Sequence, residues 1–443
     1  DECMKGCVYL SEYQKHPGLL AREIYNNTQI IMGDHPMNKP MNACALCGQC
    51  TVICPNGFDM SQVCKSAREN MVSTDKMPLA PHEFALMDML FSNSEAFLSR
   101  PQPGYETCRY VFFPGCQAGA IAPDVVMQAY EDLSNRVDRG VALMLGCCGA
   151  ISEWAGRYEM TEKVNEQLKQ ELAKLGDPII IAGCPTCMKQ LKESIGAHVI
   201  GIWEILKEIG LPQQAKGLEI PVAIHDACGA RGDAQTQDTI RQLLSDMGCI
   251  VEDTEYSRDL SPCCGYGGLT AYANKDMAAK MTEKCLERSD APYITYCMAC
   301  RDRFAREGRE SRHIMELLYG ANASNMPDIS EKRYNRLILK QTLLKNIWNE
   351  EPIMEKKDYT VAYTEEAIHM MDERMILKSD VERVLSDYRE NREAILDEET
   401  KELVTRSRLG NVTFWVRFVE TEDGYLVHRA YSHRMNIMKR VGQ

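Results

Sequence analysis

A chain of 443 residues, 44% of them hydrophobic, holds enough material for about three packed domains. Its formal charge of −13 disfavours a nucleic-acid footprint, which needs a basic patch. No apolar run of about 18 residues is present to span a bilayer, and residues 1–20 lack the basic, apolar and small-residue order of a secretory signal.

The informative number is 20 cysteines. Disulfide frameworks of that density belong mainly to small secreted domains without a real core. At this length the cysteines point instead to metal or redox sites in a reducing cytoplasm, and their spacing decides between the two.

Residues 1–107 are the first expected domain, cysteine-rich at the front and helical at the back. Turn residues interrupt HPGLL, GDHPMNKPMN and CPNG, PHEFALMDMLFSNSEAFL has helical spacing, and SRPQPGYET (99–107) reads as the boundary linker. Cys44, Cys47, Cys50 and Cys54–Pro55 spell C-x2-C-x2-C-x3-C-P, the ferredoxin run. In it three close thiolates wrap one cubane cluster, and the Cys before Pro serves the other cluster of a pair.

Upstream, Cys3 and Cys7 have C-x3-C spacing, matching the last two ligands of a second run whose first two would precede Asp1. The expected assignment puts Cys7 with Cys44, Cys47 and Cys50, and Cys3 with Cys54 at a second cluster. Cys64 or Cys108 is the alternative source of a ligand; otherwise Cys64, on SQVCKSAREN, is an ordinary buried thiol. One or two cubane [4Fe-4S] clusters follow.

From 108 to 325 short apolar runs alternate with amphipathic helices. YVFFPGC, VALMLGC and PIIIAGC each end in a cysteine, and PVAIHDAC, CIVEDTEY and PYITYC repeat the theme. Alternating strand and helix predicts parallel α/β layers, with sites at the carboxyl ends of the strands. Cys116, Cys147–Cys148–Gly149 and Cys184-x2-Cys187 form one C…CCG…CxxC set. Cys228, Cys263–Cys264–Gly265 and Cys297-x2-Cys300 form another in the same order, so two similar halves are expected. A disulfide between adjacent cysteines is strained, whereas both can reach iron from a turn that glycine relaxes. Five thiolates exceed the four of a structural zinc site and of a simple cubane.

This region resembles the CCG-domain family, above all the catalytic B subunit and the fused D subunit of heterodisulfide reductase. The iron–sulfur subunits of glycolate, lactate and anaerobic glycerol-phosphate oxidoreductases are more distant kin. The resemblance covers roughly residues 1–320 and implies two noncubane four-iron clusters. Cys116, Cys147, Cys148, Cys184 and Cys187 would hold one; Cys228, Cys263, Cys264, Cys297 and Cys300 the other. It further implies a shared cavity where a disulfide is split. The first ferredoxin run is incomplete against the family pattern, and residues 330–443 fall outside it.

Other residues carry weaker signals. His225 is a candidate proton donor to a departing thiolate, with a satisfied strand-end histidine as the alternative. Arg231 is either a site for an anionic substrate tail or a surface-turn residue. Cys249 and Cys285 read as core thiols. His369, His428 and His433 show no metal-ligand spacing. No glycine-rich phosphate loop follows a strand, so neither flavin nor nucleotide is expected in this chain, and electrons must be exchanged with a separate flavoprotein or other redox subunit.

The third expected domain, 326–443, is cysteine-free: a long helix, the linker EEPIMEKKD, a helical pair and two alternating runs around Asp423–Gly424. It weakly resembles small helix-plus-sheet modules, some toxin-like, and a docking or covering role is expected. The fold class is thus an α/β region of two similar halves, preceded by an α-helical ferredoxin-like two-cluster domain and followed by a small α+β domain. The leading functional expectation is a heterodisulfide reductase-like subunit in an anaerobe's cytoplasm, acting on a small disulfide, thiol or quinone and touching a membrane only through partners. The alternative is a non-catalytic relay between a flavoprotein and another redox subunit or quinone.

Overall fold

The computed structural model describes residues 2–77, 81–320, 326–351, 358–409 and 412–433. They divide into two compact units, one of residues 1–326 with 335–350, the other of 327–334 with 351–443. The long helix expected after 326 spans Ile329–Trp348, and its residues from 335 onward belong with the first unit. Most of the EEPIMEKKD linker lies outside the described residues.

The first unit begins with short helices, among them Glu2–Gly6, Val8–Tyr13, Pro17–Thr28, Gln49–Ile53, Met60–Ser73 and Glu83–Ser92. Asp59 caps Met60–Ser73 by accepting from the Gln62 N–H at 3.0 Å, satisfying one of the donors a helix start leaves free. Leu10, Leu20, Ile24, Met41 and Met71 form a core of their own, joined by Met277 and Met281 from further along the chain.

The CCG region builds two sheets of matching topology. In the first, β2 (Tyr110–Phe113), β3 (Val141–Leu145), β4 (Ile179–Ala182) and β5 (Val199–Gly201) run parallel in the order β3-β2-β4-β5. In the second, β6 (Val222–His225), β7 (Val251–Glu252), β8 (Tyr293–Thr295) and β9 (Ser311–His313) run parallel as β7-β6-β8-β9. Val141–Leu145 is buried along its whole length, as a strand covered on both faces must be.

Two sequence expectations need correction here. Residues 98–100, at the start of the expected linker, form β1 (Leu98–Arg100), an antiparallel edge strand on β3. The run CIVEDTEY yields only the two-residue β7, because Glu252 and Asp253 are exposed and no apolar face extends past Val251.

The second unit holds a five-stranded sheet in the order β10-β14-β13-β12-β11: β10 (Thr360–Tyr363), β11 (Ile395–Leu396), β12 (Leu403–Leu409), β13 (Val412–Thr421) and β14 (Gly424–His433). The helices Glu365–Arg374 and Lys378–Asn391 bury Met371, Val381 and Leu385 in one core with Val416, Phe418 and Val427. The hairpin and the helical pair match the sequence reading. The remaining strands were not legible, since LVTRSRL alternates too many polar residues to announce itself.

Candidate metal centres

Cys7 and the loop carrying Cys44, Cys47 and Cys50 line a single cavity, together with Tyr9, Met60, Pro262 and Cys263. Gly48, at φ +72°, turns this loop into the helix Gln49–Ile53. These are the four thiols assigned to one cluster from spacing. Burial pushes the Cys7 thiol up, whereas hydrogen bonding to Cys263 holds Cys47 down at about 6, helped by the Arg231 charge.

Cys64 is fully buried, 3.7 Å from the Tyr9 hydroxyl and in thiol contact with Cys44, but it does not line that cavity. Cys108 lies in the core of the first CCG half, its N–H bonded to the Leu175 carbonyl. Cys54 ends the helix Gln49–Ile53, and the amides of Phe58, Asn56 and Gly57 hold its thiol below the usual range. Cys3 sits on the helix Glu2–Gly6, which packs against Gln49–Ile53.

In the first CCG half four of the five motif cysteines follow strand ends, Cys116 after β2, Cys147 and Cys148 after β3 and Cys184 after β4, and Cys187 lies in the helix Pro185–Ile195. The five line one cavity, walled otherwise by Trp154, Tyr266, Met298 and Ala299 among others and reached also by Cys297. No Lys, Arg, His, Asp or Glu lines it among the described residues. The thiols touch in the order Cys116, Cys147, Cys148, Cys187, Cys184. Asn93 fixes the turn, its Oδ1 accepting from the Cys147 N–H at 2.7 Å and its Nδ2 donating to the Cys147 carbonyl at 3.1 Å.

The second set repeats this arrangement. Cys263 touches Cys228 and Cys264, Cys264 touches Cys300, and Cys300 touches Cys297. His225, at the end of β6, is fully buried with a ring nitrogen within 4.8 Å of both the Cys264 and Cys300 sulfurs. Cys285 donates to the Cys263 carbonyl at 3.4 Å from a neighbouring helix, and Cys249 packs in the core.

The three sets are not isolated. Cys47 contacts Cys263, and Cys297 contacts Cys184. A continuous row of thiols therefore runs from the N-terminal domain through the second CCG set to the first. Backbone fit makes the junction possible. A Cβ on Gly268 (φ +57°) would stand 2.5 Å from the Cys44 carbonyl oxygen, and one on Gly267 2.8 Å from that of Ala45.

Two arginines secure the same junction, and neither role was legible in sequence. Arg231 donates to the carbonyls of Cys47 (2.8 Å), Ser261 (2.6 Å) and Asp259. It is therefore neither a plain surface-turn residue nor free to hold an anionic substrate tail. Arg68, fully buried, donates to the carbonyls of Met41 (2.8 and 3.1 Å), Cys44 (2.8 Å), Trp154 (2.8 Å) and Gly268 (2.9 Å). It ties the cysteine loop of the N-terminal domain to the helix Ala150–Trp154 of the first CCG half and to Gly268 of the second.

The donor sets fit iron–sulfur clusters. Converging soft thiols are the ligands that such clusters require. A Cβ on Gly115 would stand 3.3 Å from the Cys184 Cβ and 3.4 Å from the Cys187 sulfur, so this glycine keeps the thiol cradle open. Gly149 and Gly265 both adopt positive φ, +87° and +90°, the conformation that lets adjacent cysteines turn toward one centre.

Comparison with known proteins agrees. Residues 1–59 match the 4Fe-4S dicluster domain, and residues 110–192 and 222–304 each match the cysteine-rich CCG domain. The chain is 21% identical over 366 residues to the D subunit of the dihydromethanophenazine:CoB–CoM heterodisulfide reductase of Methanosarcina acetivorans, covering 70% of this chain and 88% of that one. It is 24% identical over 316 residues to an uncharacterised iron–sulfur protein of Methanococcus maripaludis, covering 65% of this chain and 63% of the relative's length. With the B subunit of a fumarate reductase (CoM/CoB) of Methanothermobacter marburgensis it shares 26% identity over 226 residues, 47% of this chain and 45% of the other. No solved structure matches.

Proposed function

We infer that this chain, which belongs to the iron–sulfur proteins joining a 4Fe-4S dicluster domain to two CCG domains, is a heterodisulfide reductase-like oxidoreductase subunit. Its substrate would be a disulfide or related sulfur compound. The observation that carries this reading is that each CCG half gathers five thiols, one more than a cubane electron carrier needs, and that the two sets meet through Cys184 and Cys297.

In this reading Cys7, Cys44, Cys47 and Cys50 hold a cubane cluster, and Cys3 and Cys54 contribute to a second. The two five-cysteine sets hold one noncubane cluster each. When bound, these clusters supply one-electron carriers and iron centres with affinity for thiolate sulfur. The chain's own residues keep the thiol sets in contact through Arg68 and Arg231, exclude water from the row, and shape the cavity. Reducing a disulfide consumes two electrons and two protons and releases two thiols, so the electrons come from a partner, by this reading a flavoprotein or another redox subunit.

Electron paramagnetic resonance of anaerobically prepared protein, with and without added thiol, tests the reading. A paramagnetic species that appears only with thiol is expected, and its absence in fully iron-loaded protein would count against catalysis here. The observation favouring a relay instead is that Cys47, Cys263, Cys264, Cys300, Cys297 and Cys184 form an unbroken row. Under that reading electrons reach the first CCG set but thiol leaves its signal unchanged.

A further inference from the structure

The two five-cysteine sets share their thiol order and topology but differ at one equivalent position. β2 ends at Phe113 and β6 at His225, each three residues before the first cysteine of its set. At the first set the position is apolar. At the second it carries an imidazole, fully buried, edge-on to Phe304 with ring centroids 4.8 Å apart.

The hydrogen bonding of that imidazole fixes its proton. The Nδ1 atom lies 3.3 Å from Nη2 of Arg288. A guanidinium can only donate, so Nδ1 accepts and the ring proton resides on Nε2. The Nε2 atom is buried and finds no partner among the described residues. An orphaned buried N–H is unfavourable, and an acceptor on the side of Cys264 and Cys300 would relieve it. The ring stands within 4.8 Å of the sulfurs of Cys264 and Cys300. Arg288 is held in turn by the Thr254 hydroxyl (3.0 Å) and the carbonyls of Cys285, Glu255 and Tyr256, so the tautomer is set by a fixed partner.

We propose that His225 is a positioning residue whose Nε2–H would donate to a sulfur of the centre that Cys264 and Cys300 would hold, giving the second five-cysteine site a higher reduction potential than the first. Hydrogen bonds to cluster sulfurs stabilise the more negative, reduced state, and Phe113 can supply none. The second set is also the one in contact with the N-terminal domain through Cys263 and Cys47. A higher potential there would make it the first of the two five-cysteine sites to be reduced. The inference rests on the reading that both sets hold iron, but not on the identity of the substrate.

The test is a redox titration of the anaerobic protein followed by electron paramagnetic resonance, with iron and sulfide measured on each variant. In His225→Phe, which copies the first site, the higher of the two five-cysteine potentials falls toward the lower. In His225→Gln, which keeps an N–H donor, it falls less, and Phe113→His raises the potential of the first site. Pulsed electron–nuclear double resonance on the wild type in H2O and D2O shows an exchangeable proton coupled to the second cluster that His225→Phe lacks. An unchanged potential with full iron content overturns the inference. If His225→Phe loses its iron, Arg288→Met decides, because it leaves the histidine but frees its tautomer: a lowered potential supports the inference and an unchanged one overturns it. Absence of iron from the second set in the wild type would instead overturn the reading of the site itself.

Discussion

The thiol of Cys184, in the first CCG copy, lies in hydrogen-bonding contact with that of Cys297, in the second. Each cysteine opens a helix immediately after a strand, Pro185–Ile195 and Met298–Arg306, so the two halves meet at equivalent points of their folds. Together with the Cys47–Cys263 contact, this makes the second copy the middle of the row. The order in space is N-terminal domain, second copy, first copy, and it differs from the order in sequence.

That order has a measurable consequence. Cys47→Ser removes a thiol from the N-terminal set, and about four irons per chain are expected to be lost if that set holds a cubane cluster as proposed. The five-cysteine sites should still be reducible by a strong chemical reductant but no longer by the protein's own electron donor. Iron quantification with stopped-flow reduction reads both.

Arg68→Leu deletes donors to four carbonyls at the junction. A buried acceptor left unpaired costs about 1–3 kcal/mol, so the substitution should destabilise the first unit by roughly 4 kcal/mol or more. A lowered midpoint in denaturant unfolding, with iron lost from the N-terminal and second CCG sets together, is the expected outcome. Full retention of both would refute the clamp.

Gly268→Ala acts on the same junction from the other side. Its Cβ would stand 2.5 Å from the Cys44 oxygen at a backbone φ of +57°, and neither loop can yield without moving its cysteines. Reduced iron content at the N-terminal and second CCG sets is expected, with the first set spared. Cys249→Ser is the control, since its thiol joins no set, and iron content should not change.

His82 provides a pH test away from the metal sites. Burial, with the charges of Arg68 and Arg157, depresses its imidazole to about 3, below the usual value near 6.5. Folding therefore favours the neutral ring. The stability this contributes is complete above about pH 6.5 and is lost as the pH falls toward 3, because the unfolded chain binds the proton first. At pH 5 the loss relative to pH 7 is about 2 kcal/mol. His82→Leu should remove that share of the acid sensitivity, measured as the difference between urea midpoints at the two pH values. Equal acid sensitivity in both proteins would refute it.

Much of the site was legible in the sequence because its chemistry is local. C-x2-C-x2-C, CCG and C-x2-C place thiols within one turn of each other, and such spacing requires no knowledge of the rest of the fold. The repeat of strand, cysteine and helix likewise announced two similar halves, since period-2 and period-3.6 patterns are properties of short segments. The alternating runs around Asp423–Gly424 gave the β13–β14 hairpin for the same reason.

What the sequence could not contain is which sets touch, and through what. The contacts of Cys47 with Cys263 and of Cys184 with Cys297 join residues more than a hundred positions apart. They depend on glycines whose missing side chains matter only once two backbones meet. Arg231 read as a surface or substrate residue because a guanidinium's partners here are backbone carbonyls, which every residue type supplies equally. The cysteines by themselves determined that the chain is built around iron and sulfur. Only the tertiary structure decided the order of the thiol sets and that His225 lies beside the sulfurs of Cys264 and Cys300, because that placement lies in what surrounds the thiols and not in the thiols.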